Sequence, residues 1–68
     1  QYMETLRVYL EQHLSATQAA RELFIHRSTF LYRLDRIKEI LQSELDDPEE
    51  IFYLELSFRL LEQEQEKE

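Results

Sequence analysis

The chain has 68 residues, of which 43% are hydrophobic, and its formal net charge at pH 7 is −7. This hydrophobic fraction is typical of a globular domain and argues against a disordered chain, while the length allows one small domain. The absence of cysteine excludes a disulfide framework and a thiolate metal site. No apolar run is long enough to cross a bilayer, so we expect a cytoplasmic protein with no membrane contact.

Charge is distributed unevenly along the chain. Residues 21–38 carry five basic residues against two acidic ones, whereas residues 39–68 carry eleven acidic residues against two basic ones. A negative net charge opposes DNA binding, because basic side chains supply most of the non-specific affinity for phosphates. We expect the basic segment to meet DNA and the acidic segment to weaken that binding unless a dimer or the rest of a larger protein compensates.

Apolar side chains recur at helical spacing in the first residues of the chain. They are Met3, Leu6, Leu10 and either His13 or Leu14. This stripe predicts a first amphipathic helix over residues of about 2–13, covering the helices that follow. Tyr2 and Tyr9 lie on a neighbouring stripe, and we interpret them as packing residues.

A short second helix is predicted over residues of about 17–23. Thr17 and Ser15 are alternative N-caps for it, since each offers a side-chain oxygen to the first free N–H groups. Phe24 and Ile25 follow as consecutive apolar residues that cannot share one helical stripe. We interpret these two residues as a turn that folds back onto the core.

The third predicted helix, over residues of about 27–42, has one apolar face and one polar, basic face. The apolar face is formed by Phe30, Leu34, Ile37 and Leu41. Two helices joined by a short turn, with polar side chains early in the second, are typical of a helix-turn-helix, whose second helix enters the major groove of DNA.

Seven residues are therefore candidate DNA contacts. They are His26, Arg27, Ser28, Thr29, Tyr32, Arg33 and Arg36. Arg27 is the candidate for bidentate contact with guanine, and Ser28 and Thr29 can donate to a phosphate or a base. The tyrosine and the two later arginines lie where the duplex backbone would pass. Two alternatives stay open: His26 as a turn residue that packs locally, and Tyr32 as a packing residue.

The segment DDPEE predicts the start of a fourth helix over residues of about 48–64. Asp47 is its predicted N-cap, with the proline in the first turn and Glu50 completing a capping box. Leu45 is expected to fold back onto the core ahead of it.

This fourth helix is apolar on two sides. One stripe contains Ile51, Leu54, Phe58 and Leu61, and the other contains Phe52, Leu56 and Leu60 with Tyr53. A helix in so small a domain buries one stripe against the core, so the second stripe needs a partner. We expect Phe52, Leu56 and Leu60 to form an interface with an identical subunit or with an upstream sensor domain.

The run AARELFIHRSTFLYRLDRI, followed by LDDPEE and an apolar helix, resembles the C-terminal helix-turn-helix domain of the PucR/CdaR family of bacterial transcription regulators. The resemblance extends from about Leu6 to Leu61. Members similar to this chain usually have Asn and Leu where it has Ser28 and Phe30. The turn also resembles that of the wider Fis-like group, which often has Gly where Phe24 stands, and the absence of glycine favours PucR/CdaR.

The resemblance implies an all-α, four-helix domain containing a helix-turn-helix, and residues 1–68 as one DNA-binding domain. It also implies sequence-specific binding to double-stranded DNA by a regulator of a catabolic operon. Because the chain opens on glutamine rather than methionine, we expect it to be the C-terminal fragment of that regulator.

The sequence does not predict an enzyme. Its serines lack a glycine-rich elbow, its two histidines are thirteen residues apart, and a phosphate-cradling loop requires glycine. We therefore expect no catalytic residue, no metal and no cofactor. The alternative function is a helical protein-interaction or dimerisation module that uses the second apolar face of residues 48–64, and this is compatible with DNA binding.

Overall fold

The computed structural model describes the backbone of residues 1–66 and the side chains of residues 1–64. Four helices account for most of this part of the chain. They are α1 (Tyr2–Glu11), α2 (Ala16–Glu22), α3 (Arg27–Leu41) and α4 (Pro48–Glu66). No strand occurs among the described residues, and the predicted all-α class is confirmed.

Ser15, rather than Thr17, is the N-cap of α2. Its hydroxyl accepts a hydrogen bond from the backbone N–H of Gln18 at 3.2 Å, and its backbone is extended. The helix consequently begins at Ala16, one residue before the predicted start. Thr17 lies inside the first turn, so its side chain is available for another contact.

The end of α2 closes in a Schellman motif without glycine. The N–H of Phe24 donates to the carbonyl of Arg21 at 3.1 Å, and the N–H of Ile25 donates to the carbonyl of Ala20 at 3.1 Å. This pair of bonds requires the residue after the C-cap Leu23 to take a left-handed conformation, and Phe24 has a φ of 59°. Such a conformation crowds the Cβ of any residue other than glycine.

The same closure ends α1 and α3. His13 and Gln42 take the left-handed position there, with φ angles of 58° and 52°. Their N–H groups donate to the carbonyls of Leu10 and Glu39, at 3.1 and 3.3 Å. The reversal at His13 explains why α1 ends at Glu11, two residues before the predicted end.

Asp47 caps α4 as predicted, because its Oδ1 accepts from the N–H of Glu49 at 3.1 Å. The second half of the predicted capping box is wrong: Glu50 accepts a hydrogen bond from the Ser43 hydroxyl instead. The Ser43 hydroxyl oxygen in turn accepts from the N–H of Leu45 at 2.9 Å. These bonds fix the loop so that Leu45 folds back into the core as predicted, with 3% of its surface exposed.

The core lies where α1 crosses the pair formed by α2 and α3. Its buried apolar residues are Leu6, Val8, Leu10, Ala19, Ala20, Phe30, Leu34, Ile37 and Leu45. Phe30 is completely buried, and its ring lies 5.7 Å from that of Tyr9. The packing interpretation of Tyr9 is therefore confirmed, as is most of the predicted apolar face of α3.

The buried face of α1 differs from the predicted stripe. Met3 is 59% exposed and His13 is exposed, whereas Thr5 and Val8 are buried. The reason is that α1 packs against α2, α3 and α4 together, so its buried face is broad. Thr5 tolerates this burial because its hydroxyl donates to the backbone carbonyl of Gln1 at 2.8 Å.

Three further apolar residues are more exposed than predicted. Phe24 is 95% exposed, so the prediction that it folds onto the core is wrong, while Ile25 beside it does pack there. The left-handed backbone at Phe24 directs its side chain away from the helix pair. Leu41 and Leu61 are 40% and 44% exposed, and Leu41 is the last residue of α3.

We expect His13→Gly and Gln42→Gly each to raise the free energy of unfolding by about 0.5–1 kcal/mol. Glycine removes the left-handed strain, and its greater freedom in the unfolded chain offsets part of that gain. Urea unfolding measures both changes. Gln12→Gly is the control, because Gln12 has a φ of −93° and should be destabilised by glycine; stabilisation by all three variants, or by none, would contradict the strain argument.

Candidate nucleic-acid interface

One side of α3 is buried and the other is open to solvent. Phe30, Leu34 and Ile37 face the core with at most 4% of their surface exposed. The side chains of Ser28, Thr29, Tyr32 and Arg36 are exposed on the other side, with Tyr32 64% exposed. This exposed face begins at the first turn of α3. The start of the helix is therefore accessible, and a helix exposed in this way can enter a groove of DNA.

The remaining predicted contacts lie at the edges of this face. Arg27 lies on the edge towards α2, while Arg33 lies on the opposite edge and is half-buried. His26 is exposed and is the N-cap residue of α3, although its side chain makes no capping hydrogen bond. Of the seven predicted residues, Ser28, Thr29, Tyr32 and Arg36 therefore share the exposed face of α3, while Arg27 and Arg33 lie at its two edges and His26 precedes the helix.

Arg27 is held by a contact that the sequence did not reveal. Its Nε donates to the hydroxyl of Thr17 at 3.2 Å, joining the start of α3 to the start of α2. The bond uses one of several guanidinium donors, and the terminal amino groups of Arg27 are not engaged in it. Thr17 therefore restricts the orientation of the arginine while leaving its bidentate edge for a ligand.

Arg36 carries an intrahelical ion pair. Its Nη1 lies 3.1 Å from Oε1 of Glu39, and the two side chains are 50% and 67% exposed. Exposed pairs of this kind contribute little, roughly 0–1 kcal/mol, so a phosphate can replace the carboxylate. The presence of Glu39 and Asp35 beside Arg36 makes the far half of the α3 surface mixed in charge.

The apolar residues predicted for an interface lie on the outer side of α4. Phe52, Leu56 and Leu60 are 66%, 45% and 57% exposed. The opposite side of the helix carries Ile51 and Phe58, which pack against the core. None of the three outer residues is covered in the described structure, so the face remains available for a partner.

Other kinds of site are not found in the described part of the chain. Among residues 1–64, whose side chains the structure describes, no group of three His, Cys, Asp or Glu side chains is placed to hold a metal ion. No helix within residues 1–66 is both long enough and apolar enough to cross a membrane.

Residues 2–60 match the PucR C-terminal helix-turn-helix domain family. The match confirms the resemblance carried by LFIHRSTFLYRL and LDDPEE. No solved structure shows significant similarity to the chain.

Two proteins of Bacillus subtilis (strain 168) are similar to the chain. The purine catabolism regulatory protein is 41% identical over 58 residues, which cover 85% of this chain and 11% of that protein. The proline-responsive transcriptional activator PutR is 38% identical over 45 residues, which cover 66% of this chain and 11% of that protein. The chain thus spans about a tenth of the length of these relatives.

We expect Thr17→Val to release the Arg27 side chain, since valine has the same shape but offers no oxygen to Nε. The bond is exposed, so the free energy of unfolding should change by less than about 1 kcal/mol. Heteronuclear NMR should show faster exchange of the Arg27 Nε proton with water. Thr17→Ser keeps the hydroxyl and serves as the control; equal exchange in both variants would mean that the hydroxyl does not hold the arginine.

Proposed function

Because the chain belongs to the family of PucR C-terminal helix-turn-helix domains, we propose that it reads DNA sequence by placing α3 in the major groove. Domains of this family are the DNA-binding parts of transcription regulators, which are not enzymes. We further propose that the chain is one domain of a larger bacterial regulator, since the matched stretch makes up only 11% of each relative. Such a regulator acts on the chromosome, in the cytoplasm.

The observation that carries the proposal is the exposed surface of α3. Its first turn presents Arg27, Ser28 and Thr29, the types of side chain that donate to base edges and phosphates. Tyr32 and Arg36 continue the surface along the helix, where the duplex backbone would pass. Arg27 is the residue assigned to guanine, because Thr17 restrains it and a guanidinium matches the two acceptors of that base.

The placement of acidic residues is compatible with DNA binding despite the net charge of −7. Residues 21–38, which include most of α3, carry a net charge of +3, and residues 39–68, which begin with the last three residues of α3, carry −9. Among the described helices, α4 packs on α1 and makes no close contact with α3. Salt screens separated surface charges over about 10 Å, so the acids of α4 repel the DNA less than their number suggests.

We also propose that the outer face of α4 binds a second copy of this chain. Phe52, Leu56 and Leu60 are evenly spaced by four residues, so the stripe is symmetric about Leu56. In an antiparallel two-fold pair, Leu56 meets its own counterpart and Phe52 meets Leu60 of the partner subunit. A two-fold dimer would present two α3 helices to successive turns of a palindromic site.

The names of the relatives suggest the class of genes controlled. One relative is named for regulating purine catabolism and the other for a response to proline. We propose that the regulator containing this chain controls a catabolic operon.

Arg27→Ala should weaken binding to the preferred duplex by about 1–3 kcal/mol and relax the base preference at one position. Arg36→Ala should weaken binding to all duplexes by a similar factor and reduce the salt dependence, because it removes a phosphate contact. Selection from a random-sequence duplex library at two salt concentrations, followed by titration of the enriched site, measures both effects.

The pair of variants controls for general loss of charge, since each removes one exposed arginine from the same helix. Equal losses on every sequence for both variants would refute the guanine contact of Arg27. If the chain binds no duplex at low salt but self-associates, it is an interaction module rather than a reader of DNA.

Leu56→Glu should convert a concentration-dependent dimer into a monomer, because it places two like charges at the centre of the two-fold contact. Sedimentation velocity over a range of protein concentrations measures the change. Met3→Glu is the matched control, since Met3 is an exposed apolar residue on α1. If the wild-type chain stays monomeric, the outer face of α4 does not bind a second copy and is left for another domain. If both variants dissociate the dimer equally, the effect is a non-specific one of the added charge.

A further inference from the structure

Phe24 is the most exposed of the large apolar side chains in the described structure. Its residue surface is 95% exposed, compared with 70% for Tyr53 and 66% for Phe52. Single exposed apolar residues are ordinary on protein surfaces. A phenylalanine that makes so little contact with its own domain is less common, and its ring contributes almost nothing to the stability of the core.

The backbone conformation at Phe24 disfavours a phenylalanine at this position. Phe24 has a φ of 59°, in the left-handed region that glycine or asparagine adopts with less strain. The Schellman hydrogen bonds at the end of α2 hold it there, so the side chain projects from a fixed point. Neither the turn nor the core explains an aromatic ring here.

The surroundings of the turn indicate what could contact this ring. Phe24 lies two residues before His26, the N-cap of α3, and three before Arg27. It therefore projects beside the end of α3 that we propose to enter the major groove. Arg21 and Arg27, on either side of it in the sequence, are both exposed. A protein-docking patch would need several apolar neighbours, whereas the exposed neighbours of Phe24 include Arg21, Arg27 and the acidic Glu22, and Ile25 packs against the core.

We propose that Phe24 makes an apolar contact with DNA beside the bases read by α3, an inference that rests on the proposed function. The apolar groups that DNA offers at this edge are the C5-methyl group of thymine and the faces of the deoxyribose rings. Contact with the methyl group would make Phe24 a determinant of sequence specificity. Contact with deoxyribose would make it a positioning residue for α3.

Phe24→Gly separates this role from folding. Glycine fits the left-handed backbone, so the variant should be at least as stable as the wild-type chain while lacking the ring. We expect its affinity for the enriched duplex to fall about tenfold, the effect of returning roughly half of a phenyl ring to water. Gln42→Gly is the matched control, because it relieves the same strain at the far end of α3 and should leave DNA affinity unchanged.

Deoxyuridine identifies the group that is contacted. It replaces thymidine without the C5-methyl group, so one substitution at each thymine of the enriched site tests that methyl group alone. If methyl contact is correct, one substitution weakens the wild-type chain but not Phe24→Gly. If deoxyribose is contacted, Phe24→Gly still binds about tenfold less tightly and no substitution affects the two chains differently.

Two results would overturn the proposal, and they differ in what else they affect. Equal affinity of Phe24→Gly and the wild-type chain for the enriched duplex overturns the Phe24 contact and leaves DNA reading by α3 intact. Failure of the wild-type chain to bind any duplex overturns both. A Phe24→Trp variant adds a direct readout, since the chain has no tryptophan: DNA should shield its indole from acrylamide, and unchanged quenching would again reject the contact.

Discussion

The placement of α3 depends on the burial of Phe30 between the first two helices. This ring is completely buried, contacts Tyr9 of α1 and lies in the same cluster as Ala19 and Ala20 of α2. The two alanines are themselves almost fully buried, and side chains this small allow α2 to approach α3 closely. Because this packing fixes which side of α3 is buried, it also fixes which side faces solvent. The candidate DNA contacts on α3 are exposed for that reason.

The sequence predicted this packing well because apolar spacing along one helix reports one buried face. The apolar spacing predicted the buried face of α1 less well, because α1 packs against three other helices. Its buried face therefore includes Thr5, a polar residue that an apolar pattern does not count. The capping residues before α4 were recognisable because Asp47 acts on its own backbone neighbours. The hydrogen bond from Ser43 to Glu50, which replaces the expected capping bond of Glu50, was not recognisable from the sequence. It depends on how the loop before α4 folds.

The same distinction applies to the candidate site. The exposed face of α3 follows from its helical period, so its residues were predicted from the sequence. The bond from Arg27 to Thr17 joins residues ten apart in two different helices, and only the angle between those helices brings them together. Phe24 was assigned to the core because it is apolar, and the backbone conformation that turns it outwards is not visible from composition. An apolar residue immediately after a helix C-cap, in a chain without glycine, is the signal that would have suggested it.

The packing of α4 has a consequence for the stability of different parts of the molecule. Among the described helices it contacts α1 alone, whereas α1, α2 and α3 contact one another. Regions with few tertiary contacts open locally at a lower free energy than the core does. Detachment of α4 would uncover the side of α1 that it covers but leave Phe30 enclosed by α1 and α2. The helix-turn-helix and α1 thus form a cooperative unit that can persist while α4 opens and closes, so its amide hydrogens should exchange more slowly than those of α4.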